Sequence, residues 1–207
     1  MSKLLRIGVL ASGGGTNLQS IIDRCHDGSL DAEIAVVISN NPDAGALDRA
    51  ARAGILTQCI NHREFPSRED FDTAVVKALR EAGVELVVLA GFMRIITQTF
   101  IDAFPERVIN IHPALLPKYG GKGFYGDRVH QAVLEAGDAE SGCTVHLVDD
   151  QYDHGRILGQ KKVPVLPGDD PQRLAARVLR QEHIIYPRAI QWMAQGRLSI
   201  ADDEVLL

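Results

Sequence analysis

The chain is sparing with the residues that announce specialised architectures. Of 207 residues only three are cysteines, Cys25, Cys59 and Cys143; they are widely spaced, odd in number and in no CxxC arrangement, which fits a reducing, cytoplasmic setting rather than a disulfide framework. Each is expected to serve as a small buried hydrophobe. No run of five or more basic residues occurs and the net charge is −5, so a nucleic-acid partner has no electrostatic footprint. No apolar stretch approaches the length of a membrane span. The opening Met-Ser-Lys-Leu-Leu-Arg enters a strand-like segment directly, without a signal-peptide layout. Internal repeats and low-complexity tracts are also missing.

What is present is the composition of an ordinary globular domain, 45% hydrophobic and 24% charged, with enough apolar material for a sizeable core. Apolar runs at Leu4–Ala11, Ile34–Ser39, Leu56–Ile60 and Leu86–Ala90 read as strands. Helical spacing or capping signals fall between them, at about Asn17–His26, Ala46–Ala53 and after Ser67. Thr16 with Gln19 has the form of a capping box. A short helix follows near Thr97–Phe104 and a fifth strand at Val108–His112. Lys118–Gly126 is a glycine-rich loop before a helix near Asp127–Ala136. Strands at Gly142–Val148 and Ile157–Val165 and a long helix from Pro171 complete the chain. The alternation predicts a doubly wound, mostly parallel, Rossmann-like α/β sheet with a mixed carboxyl-terminal portion. One domain is expected over 1–207, with a phosphate-binding half at 1–100 and a catalytic half at 101–207.

Three stretches carry chemistry. In Val108-Ile-Asn110-Ile-His112-Pro, residues two apart share a strand face, so Asn110 and His112 project side by side; an amide donor beside an imidazole can polarise a carbonyl and move a proton. The strand–glycine–helix passage Gly13-Gly-Gly15-Thr16-Asn17 is an anion site made of backbone N–H groups and a helix start. It lacks the third glycine of a dinucleotide fingerprint and the lysine of a P-loop, which favours a phosphate monoester. Gly91-Phe-Met93-Arg94-Ile95-Ile96 follows the fourth strand, where open α/β sheets bind ligands, and offers a flat apolar slot with a cation nearby. The acidic segment Asp149-Asp-Gln-Tyr-Asp-His154 is an incomplete metal pattern; alternatively, one of its carboxylates folds back onto His112 and raises its pKa. His146 is either that pair's neighbour or a satisfied core histidine.

Ser12-Gly-Gly-Gly-Thr-Asn-Leu-Gln19, Ala90-Gly-Phe-Met-Arg94, Asn110-Ile-His-Pro-Ala-Leu-Leu-Pro117 and Gln181-Glu-His-Ile-Ile-Tyr-Pro187, in that order, resemble the phosphoribosylglycinamide formyltransferase family over nearly the whole chain. The Asn-x-His-Pro element alone is shared with methionyl-tRNA formyltransferase and formyltetrahydrofolate deformylase. The resemblance implies formyl transfer from 10-formyltetrahydrofolate, as co-substrate and without a metal, to the glycinamide amine in purine synthesis. By the same resemblance Asn110, His112 and Asp150 are catalytic; Gly15, Thr16, Asn17 and Glu182 bind the ribonucleotide; and Arg68, Met93, Arg94, Ile95, Ile96 and Asn110 meet the folate. Two departures stand out: a longer, glycine-richer loop at 118–127, and Leu179 where some members carry a polar ligand. The expected partners are the two small molecules, with no nucleic acid or membrane, in a monomer or homodimer. A deformylase is expected to carry a regulatory domain before the first strand and the tRNA enzyme a basic one at the carboxyl end. A non-catalytic ribonucleotide sensor is the rival from another class.

Overall fold

The computed structural model describes residues 3–197. Strands β1 (Leu5–Leu10), β2 (Ala32–Ser39), β3 (Thr57–Cys59), β4 (Leu86–Leu89), β5 (Val108–His112), β6 (Glu140–Leu147) and β7 (Ile157–Pro164) form one seven-stranded sheet in the order β3-β2-β1-β4-β5-β6-β7. Pairings from β3 through β5 are parallel, whereas β5–β6 and β6–β7 are antiparallel. The sheet is therefore the mostly parallel α/β sheet with a mixed end that the alternating pattern predicts. The chain leaves β1 toward β2 and β3, then returns to the other side of β1 as β4. That reversal is a topological switch point, where the carboxyl ends of β1 and β4 open a crevice.

Helices α1 (Thr16–His26), α2 (Gly45–Arg52), α3 (Arg68–Glu81), α4 (Gln98–Ala103), α5 (Asp127–Glu135) and α6 (Pro171–Ala194) cover the sheet. Leu18 and Ile21 of α1, Val133 of α5 and Leu174, Val178, Ile185 and Ile190 of α6 pack on Ile7, Val9, Val88, Ile109 and Ile111 on one face. Phe71, Val75 and Leu79 of α3 with Phe100 of α4 pack on Leu10, Val87 and Val108 on the other. β4 is buried throughout, which is why it reads as a continuous apolar run rather than an alternation. Tyr186, fully buried on α6, shares its hydroxyl proton between the carbonyls of Leu89 (2.9 Å) and Ile109 (3.1 Å), tying α6 to the last residue of β4 and the start of β5. Beside β5 and β6 the second face is covered by chain rather than helix. Thr144 Oγ1 donates to Ala114 O (2.6 Å) and accepts from Leu116 N–H (3.0 Å), which seats the segment after His112 against β6.

One local expectation is corrected. Thr16 does not cap α1: the N-cap is Gly15, with φ 73°, and no side chain caps the first turn. Gln19 instead donates to Asp23 and accepts from Arg49. A side-chain cap would consume the first-turn N–H groups that an anion site has to offer.

Candidate active site

The glycine loop is shaped by its backs. A Cβ on Gly15 would lie 2.7 Å from the Ala46 Cα, so helix α2 can approach only a glycine, and the positive φ there suits glycine as well. Ala46 N–H donates to Gly13 O (3.0 Å) and Arg49 Nε to Gly14 O (2.7 Å). In a trans peptide the N–H points opposite to the C=O. With both carbonyls turned to α2, the N–H groups of Gly14 and Gly15 face the other way, at the positive end of α1. No local pattern in the sequence points to Arg49, because it lies on α2, 35 residues from the carbonyl it holds. Asn17 is buried and donates Nδ2 to Glu182 Oε2 at 2.7 Å. Burial raises the Glu182 carboxyl above its ordinary value, and the Asn17 bond works against that shift. Asn17 Oδ1 has no protein partner among the described residues, and a sugar hydroxyl is the kind of donor that satisfies it.

Asn110 and His112 end β5 on the face away from Ile109 and Ile111. Asn110 Nδ2 stands 3.2 Å from His146 Nε2, while His146 Nδ1 lies 2.8 Å from Leu147 O. A carbonyl only accepts, so Nδ1 carries the proton and Nε2 accepts from Asn110. His146, 2% exposed and bonded at both ring nitrogens, thus holds the Asn110 amide in one orientation. His112 is 4% exposed, and its Nε2 donates to Tyr119 O at 2.7 Å. Its Nδ1 faces Asp153 Oδ1 at 3.5 Å, and the same oxygen lies 3.6 Å from His146 Nε2. The second Asp153 oxygen accepts from Gly121 N–H at 2.9 Å.

Asp153, not Asp150, is therefore the carboxylate that folds back onto His112. Asp150 is exposed on the outer side of the turn. Asp149 pairs instead with exposed His154 at 3.0 Å. The segment is split between an inward and an outward group, and among the described residues no set of three such side chains is arranged to hold a metal ion. Backbone geometry makes the inward turn: Asp153 has φ 49° and Tyr119, which supplies the carbonyl, φ 55°. Two non-glycine residues held at positive φ beside one imidazole are the kind of strain that collects at functional sites.

Electrostatics also differ from expectation. Burial lowers the His112 pKa; Asp153 and the Tyr119 bond raise it, His146 lowers it, and the net direction is down. The resting ring is neutral near pH 7. For Asp153, burial pushes upward, but the neighbouring His146 and His112 rings and the Gly121 N–H together carry it below the ordinary carboxylate range. Asp153 remains an anion beside a neutral imidazole.

Across the switch point lies the slot after β4. Met93 and Ile95 are 54% and 37% exposed while Ile96 is buried, an apolar ledge with Arg94 half-buried between them. Asp72, 1% exposed on α3, accepts from Thr97 N–H at 2.6 Å and fixes the far end of the ledge. Arg68 is exposed at the first position of α3, on a separate connection at the same edge of the sheet. The glycine loop, Arg68, the ledge and the Asn110/His112 pair come from the carboxyl sides of β1, β3, β4 and β5, whereas His146 and Asp153 come from β6 and the turn after it and Glu182 from α6.

A mostly parallel sheet with an anion loop, an Asn/His/Asp cluster and an apolar ledge at one edge is the design of a group-transfer enzyme with two substrate pockets. Residues 5–190 match the formyl transferase family, and the chain belongs to it. The chain is 45% identical over 198 residues to phosphoribosylglycinamide formyltransferase of Haemophilus influenzae, covering 96% of this chain and 91% of that protein. It is 47% identical over 195 residues to the trifunctional purine biosynthetic protein adenosine-3 of Drosophila pseudoobscura pseudoobscura, covering 93% of this chain but only 14% of that larger protein. The crystal structure of glycinamide ribonucleotide transformylase 1 from Symbiobacterium toebii superposes with TM-score 0.92 at 46% identity, covering 97% of this chain and 92% of that one.

Proposed function

We propose that this chain transfers the formyl group of 10-formyltetrahydrofolate to the amine of 5'-phosphoribosylglycinamide, a step of de novo purine synthesis. The observation that carries this reading is the cluster of Asn110, His112 and Asp153 on β5 and the turn after β6, in the same sheet as β1 and β4, which lead into the Gly13–Asn17 loop and the Met93–Ile96 ledge. Gly15, Thr16 and Asn17 take the phosphate and adjoining sugar, with Glu182 on the ribose hydroxyls. Met93, Arg94, Ile95, Ile96 and Arg68 take the folate, which is consumed as a second substrate. No metal is required by this chemistry.

The amine lone pair forms a C–N bond to the formyl carbon, and negative charge passes to the formyl oxygen. The Asn110 amide, with its orientation fixed by His146, stabilises that oxygen; loss of one such donor typically costs roughly 10²–10³ in rate. Neutral His112 takes the proton shed by the attacking nitrogen, and the Asp153 anion stabilises the imidazolium while it exists. The proton then passes to N10 as its bond to the formyl carbon breaks, leaving tetrahydrofolate and the formylated ribonucleotide. The chain acts as one domain, with the phosphate pocket drawn from residues 1–100 and the catalytic groups from 101–207. No helix among the described residues is long and apolar enough to cross a membrane. All three cysteines are free, and only Cys143 is fully buried while Cys59 is exposed, against the expectation of three buried thiols; a cytoplasmic setting and a monomer or homodimer are part of the proposal. A spectrophotometric assay with 10-formyl-5,8-dideazafolate and the ribonucleotide, in excess chelator, tests the reading. Turnover that requires both substrates supports it. Deformylation without the ribonucleotide moves the assignment to a hydrolytic relative, and ribonucleotide binding without turnover to a sensor.

A further inference from the structure

Ser12 is the first residue after Ala11 at the end of β1, and it stands on both sides of the switch point. Its N–H donates to Gly91 O at 3.0 Å. Its hydroxyl donates to Asn40 Oδ1 at 2.6 Å and accepts from Met93 N–H at 2.8 Å. Because Asn40 Oδ1 can only accept, the single hydroxyl proton is committed there, which leaves a lone pair for Met93. Asn40 is itself 7% exposed, and its Nδ2 faces His62 Nδ1 at 3.4 Å. Among the described residues, both hydrogen bonds that join residues 12–17 to residues 91–97 run through Ser12. The Met93 side chain is 54% exposed, so the Ser12 hydroxyl holds a backbone that side-chain burial holds only weakly.

We propose that Ser12 is a positioning residue that couples the two substrate pockets, so that a phosphate monoester on the Gly13–Asn17 loop and a folate on the Met93–Ile96 ledge strengthen each other's binding. The proposal rests on the assignment of those pockets given above. Fixing residues 13–17 around an anion fixes Ser12, and Ser12 fixes the peptide at Met93. The ordering cost is then incurred once for two ligands, which is positive cooperativity without a change of fold. By linkage the effect is equal in both directions.

The experiment is calorimetric titration of the ribonucleotide into the protein with and without saturating 5,8-dideazafolate, a ligand with no formyl group to transfer. The native protein is expected to bind the ribonucleotide at least about 5-fold more tightly with the folate present, the low end of ordinary coupling. Ser12→Ala is expected to bring that ratio close to one while each ligand alone binds nearly as in the native protein. Ser12→Thr, which keeps the hydroxyl, retains it, and Asn40→Ala, which frees the hydroxyl proton, reduces it. An unchanged ratio in Ser12→Ala overturns the proposal. A ratio of one in the native protein also overturns it, whether or not the variants fold, and leaves the formyl transfer assignment standing. Failure of the native protein to bind either ligand brings down that assignment instead.

Discussion

A Cβ on Gly155 would collide with the carbonyl oxygen of Leu147. This close approach lets the turn after β6 fold back on its own strand, and the same turn, with Asp153 at φ 49°, carries Asp153 inward to His112 and His146. Gly155→Ala is expected to push the turn outward, to lower turnover by one to two orders of magnitude, and to leave ribonucleotide binding intact, since the phosphate loop lies on β1. Steady-state kinetics beside calorimetric titration of the ribonucleotide check this. A variant with native turnover would show that the turn can accommodate the methyl without moving Asp153.

The phosphate loop makes the opposite prediction. At Gly15 a Cβ meets backbone at 2.7 Å and the φ is 73°, so Gly15→Ala carries about 1–2 kcal/mol of backbone strain as well as the clash with α2. The expected result is a raised KM for the ribonucleotide and a lowered Tm. Gly13→Ala, where a Cβ meets nothing within 4 Å, should be far milder in both readouts.

The pH behaviour of His112 follows from its surroundings. Burial is the largest influence and holds the pKa below 6.5, with Asp153 pulling it back up. Removing the anion in Asp153→Asn should therefore lower the pKa further, which histidine C–H chemical shifts followed against pH will read directly. An unchanged pKa would mean that Asp153 does not act on this ring. The sign for stability is the same: the unfolded imidazole takes its proton first. The stability from burying neutral His112 is fully present above about pH 6.5 and is lost as pH falls below it.

Glu182 is a buried carboxyl whose pKa is raised by burial and opposed by the Asn17 bond. Glu182→Gln removes the cost of a buried charge and is expected to leave Tm unchanged or higher. The ribonucleotide KM should rise roughly ten-fold or more, the size of a lost hydrogen bond to a charged group. A lower Tm with an unchanged KM would make Glu182 a structural partner of Asn17 alone.

Much of this was legible in the chain because it depends on short-range patterns. The alternation of apolar runs with helical spacing foretold the sheet, Ser67 caps α3 as its spacing suggested, and Asn110 and His112 share a face because strand periodicity is two. Where chemistry depended on how a turn folds back, the sequence was silent. Asp149, Asp150 and Asp153 look alike in a polar segment, and it is the folded turn, with Gly155 tight against Leu147, Asp153 at φ 49° and the Gly121 N–H on its carboxylate, that brings Asp153 inward. The fall in the His112 pKa was hidden for the same reason, since a carboxylate nearby is visible in the sequence but the burial that outweighs it is not. Arg49 and Ser12 act through carbonyls, amides and hydroxyls far away in the chain, which leave no periodic trace.

The most direct test of the account is to compare turnover of Asp153→Asn and Asp150→Asn with both substrates saturating. The Asp153 variant should lose at least about 10²-fold in kcat, the low end for a group that supports proton transfer. The exposed Asp150 variant should stay within about two-fold of the native chain. Near-native turnover in Asp153→Asn with a steep loss in Asp150→Asn would contradict the account, because the carboxylate beside His112 would then not be the one the reaction uses.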